Sequence, residues 1–329
     1  MELTLSNTQH ILDHTKIKGF MECPRKFFYE HMLGWNADRD DHNLVFGAAF
    51  HLALEYLYDR QKQRGSHHLS ERDADEAWLM FMEFYREQFP EETDADYAPK
   101  DPATADRVLR EYIKLYGPLD TFEVLYSEIS GAVPVDETGR LVHFRLDAVV
   151  KDIRSGTYLV LEHKTSKWSP SLWEYSMALS LQGGVGVHVL SCLYPQEQVK
   201  GLVYNGIFFF KKGPEFRRMP YIKSNEGMQD WFLTINRKFE DIERETAILL
   251  EEDSPDAPAM RSFPKNPTSC VLYNRPCPYM DFCKAWANPL RHISDTPPTG
   301  FTKKYWDPRE LDKEWRPESA KVVSPEEVK

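Results

Sequence analysis

The chain begins with a helical pattern of apolar positions and switches to a strand pattern near its middle. In residues 15–33, TKIKGFMECPRKFFYEHML, the positions Ile17, Phe20, Met21, Phe27 and Phe28 make most of an apolar stripe. Thr15 is placed to cap this helix, and Pro24 should kink or divide it. Residues 44–62, LVFGAAFHLALEYLYDRQK, predict a strong helix, and 71–88 and 102–116 predict two more. From residue 122 the period falls to two. FEVLYSEISGAVPV (122–135) and LVHFRLDAVV (141–150) flank a DETG hairpin signal, and TYLVLEHKT (157–165) enters through an RSG turn. Residues 122–165 therefore read as a three-stranded meander. A helix at 171–193, a strand at 201–212 and a long amphipathic helix at 226–250 follow, the last with Trp231, Ile235, Phe239 and Ile242 at helical spacing. Residues 255–290 are irregular and rich in Pro and Cys. From 293 the chain is Pro-rich and charged, and nothing after Trp315 is patterned to form a core.

Composition narrows the class. With 329 residues and 41% hydrophobic content the chain can bury a sizeable core. No apolar run reaches the roughly 18 residues of a spanning helix, so no membrane partner is expected. The opening MELTLSNTQHILDHTKIKGF has no basic segment followed by an apolar one, which reads as no signal peptide and a cytoplasmic protein. The net charge of −11 argues at first sight against nucleic-acid binding, because phosphate contacts need Lys and Arg. The acids, however, are bunched in ERDADE, PEETDADY and EEDSPD. The bases concentrate elsewhere, at Lys16, Lys18, Arg25 and Lys26 and again at Lys211, Lys212, Arg217 and Arg218. A local basic groove stays compatible with the composition.

The chemistry-bearing pattern lies at the ends of two predicted strands. In HFRLDAVV, Asp147 is an acid in a strand otherwise built for burial. The next strand delivers Glu162 and then Lys164 on one face, since side chains repeat every two residues. If these strands pair, two carboxylates approach each other and need a counter-charge. A hard divalent cation supplies it, using one or two carboxylates and several waters. A lysine alongside can orient water or offset developing negative charge. A Glu-x-Lys triplet alone is just as much an ordinary solvated strand end.

Asp147, followed about fifteen residues later by LVLEHKT, resembles the signature of the PD-(D/E)XK nuclease superfamily, and more narrowly its RecB-like branch. That branch includes nuclease domains of recombination helicases, CRISPR-associated RecB-like exonucleases and phage exonucleases. It has a histidine on an upstream helix, matched by His51 in FGAAFHLALEYL, and a glutamine on the helix after the third strand, matched by Gln182 in LSLQGGVGVHVL. The resemblance implies that Asp147, Glu162 and His51 bind Mg²⁺ or Mn²⁺. It further implies that Lys164 positions the water and that Gln182 orients Lys164 or the nucleic-acid backbone. Glu128, on the first strand, would stand behind them. The sequence departs from the family at Gly186, where a tyrosine commonly follows the glutamine.

Five cysteines occur, and four fall in two contexts: Cys23 in ECPRKFFYEHM, and Cys270, Cys277 and Cys283 in SCVLYNRPCPYMDFC. Four thiolates suit zinc or an iron–sulfur cluster. One early cysteine and three late ones resemble the iron–sulfur RecB-like nucleases, which implies a 4Fe–4S cluster with a structural role. The gap of six residues between Cys270 and Cys277 is longer than the common two. Cys192, in VLSCLYP, reads as an apolar helix residue.

Together these readings predict an α/β fold with a restriction-endonuclease-like core sheet flanked by helices and a cysteine-rich segment closing an iron–sulfur site. The expected organisation is an N-terminal helical region (1–120), a nuclease core (121–250), a cysteine-rich segment (251–292) and a charged tail (293–329). The expected function is metal-dependent DNA exonuclease, acting in recombination, repair, phage DNA processing or CRISPR adaptation. The expected substrate is DNA with single-stranded character or free ends, with recombination or CRISPR proteins as partners. Arg25, Lys26, Lys211 and Lys212 are candidate phosphate contacts, with Tyr29, Trp35, Trp168 and Trp173 as stacking surfaces. Two alternatives stay open: a catalytically silent nuclease-fold subunit, and a zinc-stabilised regulatory protein.

Overall fold

The computed structural model describes residues 8–38, 41–65, 68–272, 275–309, 321–323 and 325–328. The chain falls into two compact units, each built from separated stretches: residues 40–133, 144–228 and 311–329 in the larger, and 1–39, 134–143 and 229–310 in the smaller.

The larger unit holds a mixed five-stranded sheet. Its chain runs through α1 (His42–Arg64), α2 (Glu71–Arg86) and α3 (Pro102–Tyr116). Next come β1 (Phe122–Tyr126), β2 (Ile129–Pro134), β3 (Leu141–Leu146), β4 (Ala148–Asp152) and β5 (Tyr158–Ser166). Helices α4 (Pro170–Met177) and α5 (Leu181–Leu193) lead to β6 (Val199–Phe210) and β7 (Gly213–Tyr221). The sheet order is β1-β4-β5-β6-β7. Only β5 and β6 are parallel, and a parallel pair needs a crossover, which α4 and α5 provide. Strand β7, absent from the hydrophobic reading, is an edge strand of mostly half-buried residues that pairs antiparallel with β6.

Local chemistry sets the helix ends. Asp41 caps α1 at the Asn43 N–H, and Gly65 closes it in the left-handed region at φ 57°. Ser70 and Asp73 form a reciprocal capping box on α2, and Arg64 grips Asp73 with two 2.7 Å bonds. The helices bury an aromatic core of Phe46, Phe50, Phe81 and Tyr85 with Leu109, which receives Ile207 and Phe209 from β6.

Three expected elements are interrupted, each for a physical reason. The strand expected over 122–135 breaks at Ser127 and Glu128, and that over 141–150 breaks at Asp147. A buried polar side chain has no place in a ladder, and both breaks coincide with acids. The helix expected over 171–193 is two helices meeting at 56°. The one over 15–33 is capped by Asp13 rather than Thr15, and it stops at Cys23 because the residue before a proline is driven to extended backbone. The tail also differs from expectation: Lys321–Val323 pairs in parallel with Ile129–Gly131, and Val323 is buried. Trp315 itself lies outside the described residues.

In the smaller unit Leu12–Asp13 pairs in parallel with Val142–His143. The helix Asn225–Glu251 buries Trp231, Ile235, Phe239 and Ile242, as its spacing predicts. No single helix among the described residues is long and apolar enough to cross a membrane.

Candidate active site and cysteine cluster

Four elements of the larger unit converge on one corner of the sheet. The ladder between β4 and β5 ends at the pair Ala148–Leu161, and the chain turns at Asp147. The Asp147 carboxylate then takes over the strand's role: its Oδ2 accepts the His163 N–H at 2.7 Å. Its Oδ1 meets His51 Nδ1, from the middle of α1, at 3.1 Å. On the other strand face, Glu162 Oε1 accepts from Lys164 Nζ at 2.7 Å and from Gln182 Nε2, near the start of α5, at 2.6 Å. His51, Asp147, Glu162, Lys164 and Gln182 thus stand together, as the sequence pattern anticipates.

The electrostatics separate the two carboxylates. Burial raises the Glu162 carboxyl, and the charge of Asp147 raises it further, against the pull of Lys164; it is pushed up to about 7. Burial also opposes ionisation of Asp147. There the charge and hydrogen bond of His51, with His163 and Lys164, win, and its carboxyl sits well below the usual range. Lys164 is held above the usual lysine value, since Glu162 and Asp147 outweigh its burial. Glu128, paired with Arg145, is pushed up to about 8, chiefly by burial and then by Asp147 among its acidic neighbours.

The residues fit a hard cation. Glu162 is only 2% exposed, and its Oε2 has no hydrogen-bond partner. An orphaned buried carboxylate oxygen is costly unless a cation meets it. Oxygen donors with one imidazole suit Mg²⁺ or Mn²⁺. Among the described residues no group of three or more His, Cys, Asp and Glu side chains is gathered as a metal cage. Mg²⁺, which takes one or two carboxylates and keeps its waters, does not require one.

Beneath the corner runs a buried polar network that the sequence reading did not find. Asp120 pairs with Arg218, whose Nε donates to Asn205 Oδ1 at 3.3 Å. Asn205 Nδ2 reaches Tyr112 Oη at 2.7 Å and His163 Nδ1 at 2.8 Å. Arg218 is therefore tied to the fold and not free for phosphate. The signal available was Asn205, a polar residue in the apolar run LVYNGIFFF.

Helix α5 carries Gln182 close to the sheet because its glycines permit it. A Cβ at Gly183 would come within 2.8 Å of Tyr204 and Tyr221 atoms, and one at Gly186 within 2.7 Å of Leu202. The tyrosine lacking at position 186 would not fit. Tyr204 instead brings a phenol to this corner from β6, in register with Glu162.

The smaller unit gathers the four cysteines. Cys23, Cys270, Cys277 and Cys283 line one cavity of about 20 Å³ with Lys26 and Lys265 beside them. The long first gap does not part them: Val271–Leu272 pairs with Arg275–Pro276, and the Cys277 N–H closes onto Cys270 O at 2.8 Å. Asn266 N–H donates to Cys23 Sγ at 3.4 Å. Burial raises the thiols of Cys277 and Cys283. Four soft donors around one cavity, flanked by cations, suit a cluster's charge. Cys192 is buried on α5, apart from them in sequence and unit.

The expected DNA contacts divide. Lys211 and Lys212 are exposed at the β6–β7 turn. Arg25 is buried, with Nε on Phe263 O at 2.8 Å, and Lys26 is half-buried beside Glu22. Arg25 is therefore a structural strut rather than a surface phosphate contact. Tyr29, Trp35 and Trp173 are buried in aromatic packing, which leaves Trp168 as the exposed ring of that set.

Comparison with known proteins agrees with the site. No curated protein matches the chain. A solved structure, the crystal structure of SSO0001, is 16% identical over 58% of this chain and 85% of its own, with a TM-score of 0.26, too low to carry an argument. The family model of the PD-(D/E)XK nuclease superfamily matches residues 12–284, a span that takes in every residue of the candidate site, and the chain belongs to that superfamily.

Proposed function

We propose that this member of a nuclease superfamily is a metal-dependent DNA exonuclease with a structural 4Fe–4S cluster. The carrying observation is the orphaned Oε2 of Glu162 beside the ionised Asp147, with Lys164 and Gln182 bound to the other Glu162 oxygen. Asp147, Glu162 and His51 would hold Mg²⁺ or Mn²⁺. Such an ion, when bound, activates water and offsets charge on the phosphoryl oxygens.

The chain's own groups do the rest. Lys164 stays an ammonium at neutral pH, because Glu162 and Asp147 hold its proton. It therefore acts as a donor, positioning water and stabilising negative charge, and not as the base. Gln182 fixes the Glu162 oxygen that Lys164 leans on. Asp147 is oriented from both sides, by His51 and by the His163 peptide. Cys23, Cys270, Cys277 and Cys283 would hold the cluster, tying residue 23 to the segment after residue 270. The resemblance places the work in recombination, repair, phage DNA processing or CRISPR adaptation.

The test is anaerobic purification, iron and sulfide analysis, and digestion of end-labelled linear and of circular DNA with Mg²⁺ or Mn²⁺. Expected are a brown protein and metal-dependent loss of linear DNA that spares circles. Cutting of circles would refute the exonuclease assignment. Zinc in place of iron would refute the cluster. Cutting undiminished in Asp147→Asn and Lys164→Ala would refute the site.

A further inference from the structure

One lysine of the larger unit is buried without a counter-ion. Lys100 lies between Tyr97 and the start of α3, is 3% exposed, and has no carboxylate within ion-pair distance among the described residues. Its Nζ has one hydrogen bond, to Thr165 Oγ1 at 3.3 Å, and sits 5.4 Å from the Phe46 ring centre. A second cation, Lys167, is near enough to repel it. Burial and then Lys167 pull the Lys100 pKa down to about 8, with only Asp41 opposing. His42, at the first position of α1, is likewise pulled down to about 4 by burial, Lys167 and Lys100.

A fold gains nothing from such a cluster by itself. A buried ammonium costs free energy unless paired, and two lysines side by side add repulsion. What the cluster lacks is an anion. Its place in the fold says which one. Thr165 directly follows Lys164 on β5, and Gly47 of α1 packs on the Thr165 hydroxyl. His51, the partner of Asp147, is four residues further along α1, roughly 6 Å at 1.5 Å per residue. The first turn of α1 adds N–H groups and a positive dipole end to the same spot. Lys167 is exposed and Thr165 half-buried, which gives the cluster an open side. The lysine stem lets the Lys100 ammonium lean toward it.

We propose that Lys100, Thr165 and Lys167 form a phosphate-binding subsite that takes a nucleic-acid phosphate neighbouring the one cleaved at Asp147 and Glu162. This rests on the nuclease reading and extends it to how the strand is held. The catalytic corner grips one phosphate through a cation. The subsite grips the next through fixed charge, so the strand is registered before cutting. A protein of net charge −11 needs such local cationic points to hold DNA at all.

The test compares the full-length protein with Lys100→Met and Lys167→Ala. Binding of a fluorescent oligonucleotide is measured in EDTA, where no cutting occurs, over a range of salt. Expected is a several-fold weaker Kd for each variant, with the salt slope reduced by about one per lysine removed. Lys100→Met should also hold or raise the melting temperature, because it removes an unpaired buried charge; a structural lysine would behave the opposite way. Inorganic phosphate should raise the melting temperature of the parent and not of Lys100→Met. Equal losses on 5′-phosphorylated and 5′-hydroxyl strands assign an internal phosphate, and a loss confined to the phosphorylated strand assigns the terminal one. If Lys100→Met does not fold, Lys167→Ala decides. Unchanged Kd and salt slope in the variants, with a parent that binds and cuts, would overturn the subsite alone. A parent that neither binds nor cuts DNA would overturn the nuclease reading with it.

Discussion

At the scale of residues, the site works by giving two nearby carboxylates different lives. Asp147 is kept ionised by His51 and the His163 peptide, while Glu162 is pushed up to about 7 by burial and by Asp147. Removing either anchor should be felt in chemistry before stability. Lys164→Ala and Asp147→Asn are expected to lower the cleavage rate by about 10²-fold or more, with a circular dichroism melt close to the parent. Gln182→Ala, which only loosens Glu162, should cost less, about tenfold. The raised carboxyls also predict a pH dependence. Folded Glu162 and Glu128 hold protons more tightly than the unfolded chain does, so their contribution is fully present below about 4.5 and is lost as pH rises through about 7 and 8. Asp147, with its lowered value, weakens the fold only in acid and leaves this window clear. In EDTA the melting temperature should therefore fall between pH 6 and 9. Added Mg²⁺ should restore it by an increment that grows with pH and vanishes in Glu162→Gln. A flat profile in differential scanning fluorimetry would contradict this account.

At the scale of elements, the site depends on breaks and on close packing. Asp147 is available because the chain leaves the ladder there, and Gln182 is in reach because α5 lies flat on β5 and β6. Gly183→Ala and Gly186→Val place atoms where Tyr204, Tyr221 and Leu202 already are. Each should cost about 1–3 kcal/mol in urea denaturation and lower activity by shifting Gln182. Gly139→Asn, in a turn at φ 90° with open space around it, should be nearly silent. The network under β5 is the other dependency. Asp120→Ala would strand the buried Arg218, and a loss of about 3–5 kcal/mol is expected in the same assay.

At the scale of the whole molecule, the chain passes twice between units, so each unit is closed by segments distant in sequence. Cys23 and Cys270 are separated by the entire sequence of the larger unit. A cross-link there acts like a long-loop disulfide, worth on the order of 5 kcal/mol by chain entropy. Cys23→Ser, or iron removal by a chelator, should therefore lower thermal stability by several kcal/mol and bleach the protein. If the variant retains parent iron content and melting temperature, Cys23 is not a ligand.

The sequence alone determined the elements and the candidate residues. Periodicity marked the helices from 44 to 116, the strand that ends in EHK and the stripe of Asn225–Glu251, because burial of one face leaves a repeat that can be read locally. The order His51, Asp147, Glu162, Lys164, Gln182 was legible for the same reason: each is a chemical type standing out against an apolar background. Tertiary structure decided what the residues do with one another. Only folding showed that Arg218 and Arg25 are spent inside, that Trp173 and Trp35 are core, that a two-stranded ribbon draws Cys270 and Cys277 together, and that Lys100 is left without a carboxylate. Charge, burial and pairing are properties of neighbours brought together from far along the chain, and no local pattern encodes them.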